Sequence, residues 1–180
     1  MTIAERVWIV ENQEMGKSQN ACMTMECARE EVNAWVQELA DGEDRVLKSE
    51  IGWDPMVQGV IRAQVKVWEK KTGQTKALIF TVRELTLTNA GMKAGDKIWT
   101  VADQKFGLSQ KAFLSDESAR VETDSRLQEL VGSEEYMLKS ELVWEPEVLG
   151  VIRAQVQLWE RRTNETKPLV FTIKRRTLAK

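Results

Sequence analysis

A chain of 180 residues that is 42% hydrophobic and 30% charged has the balance of a folded globular protein, which sets aside the disordered and fibrous classes. Residues 1–90 carry 11 basic and 14 acidic side chains and residues 91–180 carry 15 and 14, so −3 and +1 sum to a net charge of −2, too little to gather nucleic acid or acidic lipid by a global field. No apolar run reaches the roughly 20 residues of a membrane span, and the opening MTIAERV lacks the basic start and apolar stretch of a secretory signal, so the expected compartment is the cytoplasm.

Slid against itself by 91 positions, the sequence aligns residues 6–88 with 97–179 without a gap, with 39 identities in 83 positions. A period this long signifies a duplicated domain rather than a solenoid. Each copy opens with a strand of β-branched residues and tryptophan, Val7 to Val10 and Ile98 to Val101. A glycine loop (Gly16, Gly107) and a short apolar segment follow. Thr24 and Ser115 stand where N-caps belong, ahead of acidic first turns. Ala28, Val32, Val36 and Leu39 then share one helical face, as do Ala119, Thr123, Leu127 and Leu130, and Gly42 and Gly132 are expected as stop residues.

A third strand is predicted over Arg45 to Trp53 and Tyr136 to Trp144, ending where Pro55 and Pro146 remove a ladder donor. Next comes the most conspicuous stretch, a hairpin over Val60 to Glu84 that returns as Val151 to Arg175. Both copies open with VIRAQV and carry a Trp-Glu pair. Ile61, Ala63, Val65 and Val67 alternate with Arg62, Gln64, Lys66 and Trp68, the pattern of a strand with one wet face. Gly73 and Asn164 mark the turn, since both tolerate positive φ. With Glu69 opposite Lys76, the expected register sets Val67 against Leu78 and Val65 against Phe80.

The fold expected from this order is α+β: a tandem duplication of a small ββαβββ domain, each with one helix packed on an antiparallel sheet, the two related by a pseudo-twofold axis. The domains are 1–88 and 97–180, joined by a linker over 89–96. A monomer with an internal pseudo-dimer, or a further homo-oligomer, is the expected assembly.

The candidate site is the wet face of the hairpins. Arg62, Gln64, Trp68, Thr81 and Arg83 should project together, matched by Arg153, Gln155, Trp159, Thr172 and Lys174. Guanidinium, amide and indole groups side by side suit a planar polar ligand or a protein surface. Trp35, whose counterpart is Arg126, is a candidate partner contact on the first helix. Trp53, Trp144, Trp8 and Trp99 read as core. Lys174-Arg175-Arg176 is the densest basic cluster and reads as a charged terminus.

No catalytic signature emerges. Met15-Gly16-Lys17-Ser18 has the wrong spacing for a phosphate loop, and Glu26, Glu31, Glu50 and Glu69 have no histidine beside them for acid/base work. Cys22 and Cys27, replaced by Phe113 and Ser118 in the second copy, are too few for a thiolate zinc site or a disulfide framework and read as structural thiols. The expected function is therefore a non-catalytic interaction protein without cofactor, its partner a protein or small polar ligand. Nucleic acid bound through the Arg/Gln/Trp faces is the first alternative, and a small enzyme using interface carboxylates the second.

Overall fold

The computed structural model describes residues 5–14, 16–17, 20–87 and 92–180. In chain order its elements are β1 (Glu5–Asn12), β2 (Gly16–Lys17), β3 (Asn20–Cys22), α1 (Met25–Asp41), β4 (Arg45–Leu47), β5 (Gly52–Trp53), β6 (Val60–Glu69) and β7 (Gln74–Leu87). They continue with β8 (Lys97–Asp103), β9 (Gly107–Phe113), α2 (Asp116–Gly132), β10 (Tyr136–Leu138), β11 (Val143–Trp144), β12 (Val151–Glu160) and β13 (Glu165–Ala179). The Met15–Ser18 motif and the 89–96 linker fall partly outside the described residues.

The expected tandem of two α+β domains is not what forms. Strands hold 51% of the described residues and helices 20%, and six strands close into one barrel. The ring runs β1–β3–β13–β8–β9–β7 and back to β1, drawing on both sequence copies. The cause lies in the length of β7 and β13, 14 and 15 residues, more than a hairpin arm needs. Gln74–Arg83 of β7 pairs with β6, Phe80–Leu87 with β1, and Thr86–Leu87 runs parallel to Lys111–Ala112 of β9. β13 does the same with β12 and β8, and its Thr177–Ala179 runs parallel to Asn20–Cys22 of β3. Each copy thus supplies strands whose free edges are satisfied by the other, and closure removes those edges.

Closure also creates a core that the expected fold lacks. Directly paired residues share a face, so the pairs Val7↔Leu85 and Ile98↔Arg176 point into the ring. There Val7, Ile9, Ala21, Leu85, Leu87, Ile98, Ala112 and Leu178 form one buried cluster. On the outside of the ring, α1 lays Ala28, Val32 and Val36 over Val10, Cys22 and the buried face of the β6–β7 hairpin, with Phe80 at its centre. α2 covers the β12–β13 hairpin and Phe171 with Leu127 and Leu130. β1 is consequently buried on both faces, which is what its unbroken Val-Trp-Ile-Val run signals.

The local signals mostly hold. The Thr24 hydroxyl accepts the Cys27 N–H and that of Ser115 accepts the Ser118 N–H, both at 3.1 Å. Of the glycine stops, Gly42 lies just past α1 as its C-cap, with extended rather than left-handed backbone, whereas Gly132 is the last residue of α2, which Ser133 caps. Each predicted third strand is split in two, and in the gap a serine hydroxyl takes over as acceptor. Ser49 Oγ receives the Lys66 N–H and Ser140 Oγ the Gln157 N–H, each at 3.0 Å.

The hairpin register differs by two residues from expectation. Glu69 pairs with Gln74, Val67 with Lys76, Val65 with Leu78 and Ala63 with Phe80. A slip of two leaves every side chain on its predicted face, so the wet and buried sides stand. Glu69 still meets Lys76, diagonally, at 2.9 Å. Gly73 and Asn164 have φ of +66° and +56°, as their turn positions require.

Candidate functional site

The helices cover one face of each hairpin and leave the other to solvent. Because Thr81 pairs with Glu11 and Arg83 with Ile9, that open face runs on into the interior of the barrel. The register sets Arg62 opposite Thr81 and Val60 opposite Arg83. These residues line a cleft of about 550 Å³, completed by Asp54, Pro55 and Val57. Its rim is the tight turn Val57–Val60, closed by reciprocal backbone hydrogen bonds of 2.9 and 3.0 Å. Gln58 and Gly59 sit at φ +50° and +74°, the double positive φ of a type I′ turn.

Within the cleft the two guanidiniums differ. Arg83 Nε donates to Glu11 Oε2 at 3.2 Å. The exposed Arg62 side chain makes no ion pair or hydrogen bond with a described residue. Arg153, its equivalent, is likewise exposed and without such a partner, in a smaller cleft of about 330 Å³ with Glu145, Pro146, Val148, Leu149 and Val151. Leu149, at φ +52° and 98% exposed, stands at the tip of the matching turn.

Not all of the predicted residues gather there. Gln64 pairs with Ile79 and Trp68 with Thr75; Trp68 is six residues along the strand from Arg62, about 20 Å away at the usual rise. Its ring is already met by the Lys48 ammonium at 5.8 Å, and that of Trp159 by Lys139 at 5.7 Å. Each cation–π contact takes up one face of an indole expected to stack a ligand. Gln155 lies apart, beside Ser140 and Val143. Thr172 and Lys174 line a separate cavity at the mouth of the barrel, although Thr172 is Arg153's partner across the ladder. Trp35 sits on the helix side, its ring 6.2 Å from that of Phe80. Trp53 and Trp144 are half-buried core residues lying under Arg29 and Arg120, at 5.2 and 4.5 Å.

The basic cluster Lys174-Arg175-Arg176 is not one charged surface. Alternation along β13 turns Arg175 outward, 3.3 Å from Glu147 and 5.6 Å from the Trp99 ring. Arg176 is turned into the barrel, where it is 1% exposed. Its Nε donates to Thr100 Oγ1 at 3.1 Å. Burial pushes its pKa down to about 10 against the opposing pull of Glu11 and Glu31. The sequence signal for this was available, since Arg176 has the parity of Leu178 and Lys174.

Among the described residues no group of three or more Cys, Asp or Glu side chains is placed to hold a metal ion. Of the expected carboxylates, Glu69 is held below the usual range by its Lys76 hydrogen bond, the direction opposite to that of a general acid poised near neutrality. Burial pushes the Cys22 thiol far up, which disfavours a reactive thiolate. No helix among the described residues is long and apolar enough to cross a membrane. No family model, curated protein or solved structure matches this chain.

Proposed function

We propose that the protein is a non-catalytic binding protein that engages a protein partner through the open faces of its two hairpins, with Arg62 and Arg153 as the charged contacts. The observation that carries this reading is the pair of exposed guanidiniums at equivalent places, neither engaged by a described acid. Each stands beside a proline and an exposed valine of the neighbouring loop. An arginine next to an apolar ledge suits a carboxylate-bearing segment that also buries a hydrophobic side chain. A planar stacking ligand is the weaker choice, because Trp68 and Trp159 lie six residues along the strand from Arg62 and Arg153 and each already has a lysine over one face. Nucleic acid is disfavoured by the acids interleaved with the arginines, Asp54 in one cleft and Glu145 in the other.

The test compares proteins cross-linked to the wild type with those cross-linked to R62E/R153E at an unchanged melting temperature. A partner held by the wild type and lost from the double variant supports the proposal; an identical set from both removes it. If nucleic acid copurifies instead, with affinity that collapses between low and moderate salt, the nucleic-acid alternative takes its place.

A further inference from the structure

The loop between β11 and β12 carries side chains that the fold itself does not use. Leu149 is the most exposed large apolar residue among those described, and Val143 and Val148 are exposed as well. Glu145 connects them, since it borders both the Arg153 cleft, with Val148 and Leu149, and the neighbouring cavity that holds Val143 and Gln155. The result is one continuous patch of aliphatic side chains with one acid and one guanidinium among them.

Leu149 burdens the free chain in two ways. It fills the first central position of a turn closed by bonds of 2.9 and 3.0 Å between Val148 and Val151, at φ +52° and followed by Gly150 at +77°. Asparagine, aspartate and glycine suit that position and leucine is strained in it. It also gains no burial in return. The first copy shows that the fold does not require it: at an offset of 91 the same place holds Gln58, and Val143 answers to Gly52.

The two charges of the patch balance. The Glu145 N–H donates to the Arg153 carbonyl at 2.8 Å, so the residues stand across the ladder from one another. Neither side chain makes an ion pair or hydrogen bond with a described residue. Glu147 on the flank is held by Arg175 at 3.3 Å. One unpaired acid, one unpaired base and exposed aliphatic groups make a surface complementary to itself. About a two-fold axis, each carboxylate meets the guanidinium of the other copy, and the leucines pack between them. A foreign acidic segment would meet Glu145 beside Arg153, whereas a second copy uses both charges.

We propose that the partner of the second hairpin is a second copy of this chain, joined through Val143, Glu145, Val148, Leu149 and Arg153 in an isologous dimer. This rests on the reading of Arg153 as a protein contact and names that protein; the Arg62 cleft stays free. A loop and one strand end make a small contact, so the association belongs at the weak end of specific interfaces.

The experiment is sedimentation velocity on the full chain from about 1 μM to about 1 mM, a range that spans weak and moderate association. A monomer–dimer equilibrium is expected. Leu149→Asn, better suited to the turn, should weaken it at least tenfold without lowering the melting temperature. Arg153→Glu and Glu145→Arg should each weaken it as much, since like charges then face across the axis. The combined exchange Glu145→Arg/Arg153→Glu should restore it, and Arg62→Glu should leave it unchanged. A wild type that stays monomeric throughout overturns the proposal. So does a dimer indifferent to Leu149→Asn, one that the charge exchange fails to restore, or one lost with Arg62→Glu. A monomeric wild type whose cross-linked foreign partner is nonetheless lost from R62E/R153E sinks the dimer alone and leaves the broader reading in place.

Discussion

The two helices dock on hairpins of identical register, yet they are anchored by opposite chemistry. α1 is fixed by apolar contact, with Trp35 against Phe80 beneath it. At the position of Trp35, α2 carries Arg126, which reaches the buried carboxylate of Asp103 at 2.6 Å and the Gly107 carbonyl at 3.2 Å. Where Asp103 stands, the first copy has Asn12, whose Nδ2 donates to the Ile79 carbonyl at 3.0 Å. One backbone frame therefore accepts either an aromatic wedge or an ion pair at the same helix–sheet joint. A backbone duplicated in sequence constrains where a side chain points, while the energy of the joint is decided afresh by what is placed there.

This contrast can be broken most forcefully at the two phenylalanines. Each is fully buried, and truncation to alanine should remove about 3–5 kcal/mol in urea unfolding. Phe80→Ala should lose a further 0.5–1.5 kcal/mol or so, since only there is an aromatic partner forfeited. Equal losses at Phe80 and Phe171 would show that the Trp35 contact contributes nothing beyond area. Next comes the ionic joint: Asp103→Ala strands Arg126 and should cost about 3–5 kcal/mol. Asn12→Ala, which forfeits neutral hydrogen bonds, should cost about 1–3 kcal/mol; the reverse order would contradict the assignment of the second joint as ionic.

The caps should not distinguish the halves. Thr24→Ala and Ser115→Ala each remove one acceptor of the same geometry and should each cost about 1 kcal/mol, so thermal melts that separate them by much more would reveal unequal helices. The smallest effect is expected at the hairpin turns. Glu69, through its Lys76 hydrogen bond, and Glu160, through that of Thr163, have folded pKa values lowered from 4.5. Their contribution is thus complete above that value and is lost as pH falls through the folded one. Lys167, hydrogen-bonded to Glu165, is raised from 10.5, so its contribution is complete below 10.5 and fades as pH climbs through the folded value. Lys167 is exposed and the two glutamates are half-buried at the surface, so the effect is screened and should shrink further in salt. Melting curves against pH should therefore be flattened at the acid end by Glu160→Gln and at the alkaline end by Lys167→Met.

What could be read from the sequence follows the range over which each signal acts. N-caps, the positive-φ turn residues and the wet and buried sides of the hairpins are set within a few residues, and these were legible. Strand partnership is not local. Alternation in β7 says which side of it is buried but not that its last residues lie beside β9, so two α+β domains were expected where one ring forms. The two-residue difference in hairpin register has a related cause: pattern fixes parity and nothing finer. Arg176 was missed because arginine in a basic run is ordinarily solvated, although its place in the alternation pointed inward. Arg62, Thr81 and Arg83 were correctly grouped by parity, while Trp68 and Trp159 share their face without sharing their neighbourhood.

The parallel seam between Asn20–Cys22 and Thr177–Ala179 has a consequence for how the molecule comes into being. A chain made from its amino end cannot shut the ring until more than 150 residues after β3 has emerged. During that interval the lumen leucines and the unpaired edges of β3 and β7 are open to water and to other chains. Contacts so distant in sequence are slow to form, because loop closure must precede any reward from pairing. The hairpins with their helices can assemble early from neighbouring residues, and the ring is the last thing to exist. A partly made chain of this protein therefore holds its first capped hairpin without the ring, and the strands that closure later hides are open to aggregation.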